Sequence, residues 1–479
     1  VVDVLPERRS APRVLLVDPY VARDDPMERK FVELYPSLGL LTLAGYLRAN
    51  AVEVRVVDLT FARDRRPVAR ALQEFAPDVV GVHTKTLTAD RAMAIAELAR
   101  SAGVFTVAGG PDAATRPGQY LTEGFDAVAL GEGEATLLEL AQRVAAGESA
   151  AGLAGVATLA EGRVVRGPVR PFLRSLDDVP LPAWDLIDLE RYLSEWQRST
   201  GDRRMAVLTS RGCPFDCAWC SKPTFGRSYR QQSVERVMAE LRALAATYRV
   251  DYVRFCDDVF GVQRRWLEEL LDRMEAEPLG VRFECLARVE LLKPDLLARM
   301  RRVGLERVYV GVESGSQRML DAMNRGTKLA QVERAAAALR REGIRQFWFL
   351  MLGYPGETLE DIEATLRLFR KYSPEEYSVS IAVPVPGTRF YEAVKDRLRN
   401  GGRSSPRSTG GRSLLYEAVY PEALYRWTQA RFGFEASLSK ARGKLREPVL
   451  RSIEEAADAL DRRIVTPILL GRSSEPPPA

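Results

Sequence analysis

Histidine is nearly missing from this chain: His83 is the only one in 479 residues. That count leaves almost no room for a Ser-His-Asp triad, a Cys-His dyad or a histidine-rich metal site. Lysine is scarce as well, 9 against 61 arginines, and the net charge is only +5. No dense Lys/Arg stripe of the kind that neutralises nucleic-acid phosphates is present, so nucleic acid is not an expected partner. No stretch of 18 apolar residues occurs, so no membrane span is expected. Val1 to Arg13 lacks an apolar signal core and carries Pro6, Arg8 and Arg9, so no secretion signal is expected either. Cysteines number five, with none in residues 1–212. An odd, clustered set is not a disulfide framework; it predicts reduced, cytoplasmic thiols with a local metal role.

What is present is a globular composition, 46% hydrophobic and 28% charged, long enough for two or three domains of roughly 150 residues. The first 150 residues alternate short apolar strands (Val14–Asp18, Glu53–Asp58, Asp78–His83, Phe105–Ala108, Ala127–Leu130) with helical stretches. That alternation predicts a parallel, doubly wound sheet, whose ligands bind beyond the carboxyl ends of the strands. Those ends carry Asp18-Pro19-Tyr20, His83 to Thr88, Gly109-Gly110-Pro111-Asp112 and Gly131-Glu132-Gly133-Glu134. Taken alone, they are equally well read as ordinary turns. A hairpin follows at 156–166, then a Pro-punctuated linker.

A second series of six strand–helix units starts at Met205, with strands also at Asp251–Cys256, Val281–Leu286, Glu306–Val312, Arg345–Leu352 and Tyr377–Val383. It predicts a parallel sheet curled into a partial barrel, with its chemistry at the C-terminal strand ends. Ser233 and the Thr358/Asp361 pair are placed to cap helices. Residues 400–413 read as a flexible loop, 416–464 as mainly helical and 471–479 as a tail. Trp427, Phe432 and Phe434 in the helical part either cover a substrate opening or belong to the core.

The strongest chemical signal is R-G-C-P-F-D-C-A-W-C-S-K-P at 211–223, directly after the first strand of the second series. Cys213, Cys217 and Cys220 stand in C-x3-C-x2-C spacing. Three thiolates on one loop hold three irons of a 4Fe–4S cluster and leave the fourth open, whereas structural zinc would want a fourth Cys or His. Cys256 and Cys285 read as small buried strand residues.

On this motif the sequence resembles the radical S-adenosylmethionine superfamily. The resemblance continues through F-C-D-D-V-F at 255–260, C-L-A-R-V at 285–289, G-V-E-S-G at 311–315, L-G-Y-P-G-E-T at 352–358 and P-V-P-G-T at 384–388. Y-P-S-L-G-L at 35–40, A-G-G-P at 108–111, G-E-G-E at 131–134 and the linker L-D-D-V-P-L-P-A-W-D-L resemble its cobalamin-binding class. The resemblance covers residues 12 to 400. It implies an α/β chain: a Rossmann-like cobalamin-binding domain at 1–170, a linker at 171–200, a partial (β/α)6 TIM-type barrel at 201–399 and a flexible, then helical, C-terminal region at 400–479.

The resemblance implies three cofactors: a 4Fe–4S cluster, S-adenosylmethionine and cobalamin. Cys213, Cys217 and Cys220 would ligate the cluster. Trp219 would lie against the adenine, with Glu313 and Ser314 at the ribose or methionine end. Asp257 and Asp258 point to the same rim, and one of them is also placed to cap a helix. Gly353 and Gly356 would let backbone approach the nucleoside, and Arg288 would pair with the carboxylate or make an ordinary salt bridge. In the first domain, Tyr20, Leu38, Gly39, Thr84, Thr86, Gly109, Gly110, Glu132, Gly133 and Glu134 would meet the corrin and its tail.

One departure stands out: where many cobalamin proteins place a cobalt-ligating His in D-x-H-x-x-G, this chain has D-P-Y-V-A-R, with Tyr20 at that position. His83 is expected to be a hydrogen-bonded strand-end residue, not a cobalt ligand. The implied function is cobalamin-dependent radical methylation of an unactivated carbon through a 5′-deoxyadenosyl radical, on a small-molecule substrate, with electrons from a flavodoxin- or ferredoxin-type donor. Radical cyclisation or rearrangement without net methylation, and a non-catalytic cobalamin sensor, are the alternatives. No cysteines remain in 1–212 for a second cluster, which disfavours methylthiolation.

Overall fold

The computed structural model describes residues 11–25, 34–221, 225–399, 414–441 and 447–471. The expected 400–413 loop and nearly all of the 471–479 tail lie outside these residues. The chain divides into two compact units: Val1–Pro214, Lys222–Asp258 and Asp272–Arg282 form the first, and Phe215–Ser221, Val259–Leu271 and Phe283–Ala479 the second.

The first unit contains a seven-stranded sheet. Its strands are β1 (Arg13–Asp18), β2 (Glu53–Asp58), β3 (Val79–His83), β4 (Phe105–Gly109), β5 (Ala127–Ala129), β6 (Val156–Ala160) and β7 (Arg163–Arg166), in the order β2-β1-β3-β4-β5-β6-β7. The first five run parallel, and β6 and β7 extend the edge as an antiparallel hairpin. Parallel strands covered on both faces read as continuous apolar runs, which is why Val14, Leu15, Leu16 and Val17 are all buried. Alternation sends Leu15 and Val17 to a cluster with Val68, Leu72, Phe75 and Ile95. Val14 and Leu16 go to the opposite face, with Leu40, Leu47, Leu137 and Leu140. Each such fully buried side chain contributes about 1.5–3 kcal/mol. The order reverses between β1 and β3, and the crevice outside that reversal is where open α/β sheets bind ligands.

The segment read as linker holds a helix, Leu189–Thr200, capped by the Asp188 side chain, which accepts from Arg191 N at 3.2 Å. Its apolar residues Leu189, Tyr192, Leu193 and Trp196 recur at helical spacing and are buried, a signal that the neighbouring prolines obscure. Also in this unit are β8 (Arg204–Val207), β9 (Ser210–Arg211), β10 (Arg230–Gln231) and β11 (Tyr252–Phe255). β8 pairs with β11 in parallel, and β9 with β10 antiparallel. Ser233 caps helix Val234–Tyr248 as its position suggests, accepting from Arg236 N at 3.2 Å.

In the second unit β12 (Arg282–Ala287, whose first residue belongs to the first unit), β13 (Leu305–Glu313), β14 (Arg345–Leu352) and β15 (Glu376–Ile381) pair in parallel in that order. Counted along the chain, β8, β11, β12, β13, β14 and β15 are the six parallel strands of a partial (β/α)6 barrel. Thr358 and Asp361 form the expected capping box of helix Leu359–Tyr372. The C-terminal region is helical at Glu422–Ala441 and Glu447–Leu460. Phe432 belongs to the core, edge-on to Phe369 at 5.2 Å, while Phe434 is exposed and Trp427 Nε1 donates to Asp461.

Candidate functional site

At the strand-order reversal, His83 Nδ1 lies 3.1 Å from Ser37 Oγ and 3.9 Å from buried Asp18. His83 is therefore the hydrogen-bonded strand-end residue expected. Burial pushes the Asp18 carboxyl up, but His83, Lys85 and the Tyr20 amide together hold it below the ordinary value. The Tyr20 hydroxyl donates to Asp25 at 3.1 Å. Leu38 and Gly39 begin helix Leu38–Ala49, and a Cβ on Gly39 would meet nothing within 4 Å.

Gly109 is almost as open, with only Ala129 Cβ at 4.0 Å. Gly110 is different: at φ +108° an added Cβ would fall 2.7 Å from Thr84 O. Thr84 is turned inward, donating to Gly109 O and accepting from Ala113 N, and Thr86 donates to Asp112 at 2.8 Å. Both hydroxyls are thus used inside the protein. Glu132 and Glu134 are buried and held by arginines: Arg211 reaches Glu132 at 2.8 Å and Glu134 at 2.6 Å, and Arg230 reaches Glu132 at 2.8 Å.

The cysteine loop opens at Gly212, the glycine of the R-G-C-P motif. Its φ is +82°, and a Cβ there would lie 1.7 Å from Ser228 O, so no other residue fits. Just before it, buried Asp257 accepts from the backbone and hydroxyl groups of both Thr209 and Ser210, at 2.5–3.0 Å. Burial outweighs these bonds and pushes its carboxyl up to about 6. Asp258 is exposed.

In the second unit the stretch Phe215–Ser221 is fastened by backbone bonds: Ala218 N to Met323 O at 2.9 Å and Phe390 N to Ala218 O at 3.0 Å. Asn324 donates to Asp216 O at 2.6 Å. Cys217 Sγ accepts from Arg325 at 3.4 Å and from Arg288 at 3.5 Å. Arg288 also lies 3.9 Å over the Phe215 ring and pairs with Glu290 at 2.8 Å, so its charge is shared between sulfur and carboxylate. Trp219 is half-buried, 5.9 Å from the Arg325 guanidinium.

Cys213 and Cys217 are partly buried and Cys220 is exposed; none of the five cysteines is in a disulfide. Among the described residues, no three His, Cys, Asp or Glu side chains are gathered closely enough to hold a metal ion. The donor chemistry nevertheless fits an anionic iron–sulfur cluster: three thiols within eight positions, one of them facing two guanidiniums that favour negative sulfur. Cys285 is buried on β12, as expected. Cys256 departs from expectation: β11 ends at Phe255, so Cys256 falls beyond the strand and is exposed.

Glu313 ends β13 at φ +63°, beside a register shift against β14. That conformation is costly for a residue with a Cβ and is typical of functional sites. Burial pushes its carboxyl up to about 7, against the pull of Arg325 and Arg288. Gly311 makes room for the pair, since a Cβ there would lie 2.6 Å from Glu313 Oε1 and 2.7 Å from Arg325 Nη2. Ser314 is buried and bonded to Thr365 and Ser316 N. Gly353 and Gly356 have φ +75° and +79°. Gly353 N donates to Glu357 at 2.6 Å, and Tyr416 donates to Gly353 O.

Sequence reasoning missed Arg325, Arg211, Arg230, Gly311 and Glu357. Gly311, Glu357 and Arg211 stand inside quoted motifs, but nothing distinguishes Arg325 and Arg230 among 61 arginines.

Comparison with known proteins gives two family matches: the radical SAM superfamily over residues 207–369 and the B12 binding domain over residues 28–141. An uncharacterized methyltransferase of Pyrococcus horikoshii is 32% identical over 374 residues, 76% of this chain and 79% of that protein. The anaerobic magnesium-protoporphyrin IX monomethyl ester cyclase of Rubrivivax gelatinosus is 29% identical over 377 residues, 76% of this chain and 67% of that one. In fold, the chain resembles the radical S-adenosylmethionine methyltransferase TsrM of Kitasatospora setae, solved with cobalamin and a 4Fe–4S cluster. The TM-score is 0.69 at 22% identity, over 85% of this chain and 82% of that one.

Proposed function

The chain belongs to the cobalamin-binding family of radical S-adenosylmethionine enzymes, and from that premise we propose that it is a C-methyltransferase acting on an unactivated carbon of a small molecule. The observation that carries the proposal is the union, in one chain, of a three-thiol loop whose Cys217 faces two guanidiniums with a doubly wound sheet that has a polar reversal point.

Cys213, Cys217 and Cys220 hold the cluster. Arg325 and Arg288 offset its negative charge and keep water from the Cys217 sulfur. Trp219 offers a flat apolar face to the adenine. Glu313 and Ser314, with exposed Asp258 on its own strand end, provide acceptors for amino and hydroxyl groups, while Asp257 is spent on Thr209 and Ser210 and holds the segment that leads into the cysteine loop. Gly353 and Gly356 leave backbone bare for close approach. In the first unit, Tyr20, Leu38, Gly39, Gly109 and Gly133 line the corrin side, while Thr84, Thr86, Gly110, Glu132 and Glu134 shape the loops around it. When bound, the cluster supplies an electron, S-adenosylmethionine a radical and a methyl group, and cobalamin the methyl carrier. The electron comes from a flavodoxin- or ferredoxin-type donor, and the reduced thiols suit a cytoplasmic setting. No helix among the described residues is long and apolar enough to cross a membrane.

Protein reconstituted without oxygen and given methyl-deuterated S-adenosylmethionine, a reductant and candidate acceptors (a polycyclic lipid, a tetrapyrrole, a natural-product intermediate, a peptide) should form 5′-deoxyadenosine and a deuteromethylated product. The variant with all three cysteines replaced by alanine should form neither and carry no iron. The cyclase relative favours ring closure as the second reading. A dehydrogenated, ring-closed product without the label would establish it instead. No 5′-deoxyadenosine from iron-loaded protein would leave a sensor.

A further inference from the structure

The cysteine loop leaves and rejoins the first unit through a narrow neck. Residues 212–229, eighteen in all, are strung between β9 and β10, which pair only at Ser210↔Gln231 and Arg211↔Arg230. Two residue pairs make a ribbon too short to be stable on its own. The second pair sets two arginines directly opposite each other, and like charges so placed push strands apart. Something else therefore closes the neck.

Glu132, from the loop after β5, does so. Its Oε1 accepts from Arg211 Nη1 at 2.8 Å, and Arg230 Nη1 lies 2.8 Å from the same oxygen and 3.0 Å from Oε2. Oε2 also accepts from Leu173 N at 2.8 Å, and Arg230 donates onward to Leu173 O at 3.0 Å. Glu134 completes the group, taking Arg211 Nη2 at 2.6 Å. The group is two positive and two negative charges, with both acids and Arg211 buried. The rings of Phe225 and Phe172 lie 5.4 and 4.6 Å from the two guanidiniums.

We propose that Glu132 is a positioning residue for the iron–sulfur site: its carboxylate bridges Arg211 and Arg230 and clasps shut the neck of the loop that carries Cys213, Cys217 and Cys220. This gives the G-E-G-E motif a role besides corrin contact. It rests on the reading that this loop holds the cluster. Glu134 is the lesser member, because it touches one arginine and not both. Removing Glu132 alone leaves two guanidiniums, that of Arg211 buried, against one carboxylate. Removing Arg230 with it restores balance, since Arg211 and Glu134 remain a pair.

The test uses the full chain, first without cofactors. Amide hydrogen exchange is followed for wild type, Glu132→Gln, Glu134→Gln and the double variant Glu132→Gln/Arg230→Met. In Glu132→Gln, exchange across 211–231 should quicken about tenfold, equivalent to about 1.4 kcal/mol of local opening, with the sheet strands unchanged. Glu134→Gln should quicken it less, and the double variant should return toward wild type. Iron per chain after anaerobic reconstitution should fall and recover in the same order. Unchanged exchange in Glu132→Gln, a speed-up spread evenly over the first unit, a double variant as loose as the single one, or a loosened loop with full iron uptake would each overturn the proposal. If Glu132→Gln does not fold, the folded double variant still decides through its own exchange and iron content. Wild-type protein that takes up no iron would sink the cluster reading instead, and the exchange data would still judge the clasp.

Discussion

Replacing Glu357 with glutamine should stabilise the second unit, increasingly so as pH rises from about 4.5 to about 8. Glu357 is fully buried. Its Oε2 accepts from Gly353 N at 2.6 Å, while its Oε1 is buried without a hydrogen-bond partner among the described residues. Tyr416, Tyr425 and Asp361 are the acidic groups around it, and Arg318 the cation. Burial dominates, opposed by the Gly353 amide, and pushes the carboxyl from an ordinary 4.5 up to about 8. The native state thus keeps a proton that the unfolded chain releases above 4.5. Its contribution is fully present below that pH and is lost as pH rises through about 8. At about 1.4 kcal/mol per pH unit the ceiling is about 5 kcal/mol. Local relaxation and water entry leave about 2 kcal/mol at pH 9. Glutamine keeps the acceptor for Gly353 N and never ionises. The two proteins should therefore melt together near pH 5, and by pH 9 the variant's second-unit transition should lie about 4–8 °C higher. Thermal unfolding followed at several pH values measures this. A difference that does not vary with pH, or a variant less stable at pH 9, would refute the reasoning.

The remaining predictions concern cofactors. Arg325→Met removes a buried cation from Cys217 and from Glu313, so the reduction potential of the reconstituted cluster should drop by on the order of tens of millivolts. Potentiometric titration monitored by electron paramagnetic resonance would show it, and an unchanged potential would place the cluster away from Cys217. His83→Ala should bind cobalamin with an unchanged visible spectrum, because His83 ends β3 and does not stand in the D-P-Y-V-A-R segment after β1 where the cobalt-ligating His of other cobalamin proteins falls. A spectral shift on substitution would make His83 a cobalt ligand after all.

Much of the fold is legible in the sequence because the strands are short apolar runs in a regular alternation with helices. β1 is buried on both faces, and its Val-Leu-Leu-Val run announces that in four letters. The helix Leu189–Thr200 is missed because the prolines before it read as a linker, although its apolar spacing is helical. Cys256 is missed by one position, the usual uncertainty of a strand end. The three cysteines proposed to hold the cluster are marked out by their spacing alone. The arginines that reach Cys217 are not, since Arg288 and Arg325 lie 71 and 108 residues from it and only the folded second unit brings them to it. Thr84 and Thr86 show the converse: a hydroxyl at a strand end looks available in sequence, yet here both are spent on Gly109 and Asp112.

Burial alone does not decide what a strand-end carboxyl does. Glu132 and Glu357 are both buried, both follow a strand, and both sit in a Gly-Glu motif. Glu132 has two guanidiniums and a backbone amide around it. Glu357 has one amide, and its other oxygen has no hydrogen-bond partner among the described residues. The first carboxylate acts as a bridge, because two guanidiniums face it at 2.8 Å. The second has no such compensation and carries a proton near neutral pH, so it acts as a neutral hydrogen-bonding group on the Gly353 turn. In a chain with one histidine and 61 arginines, the count of guanidiniums that reach an acid separates anchors from proton carriers. That count is set by folding across long sequence distances, so the same Gly-Glu pair takes opposite roles in the two units.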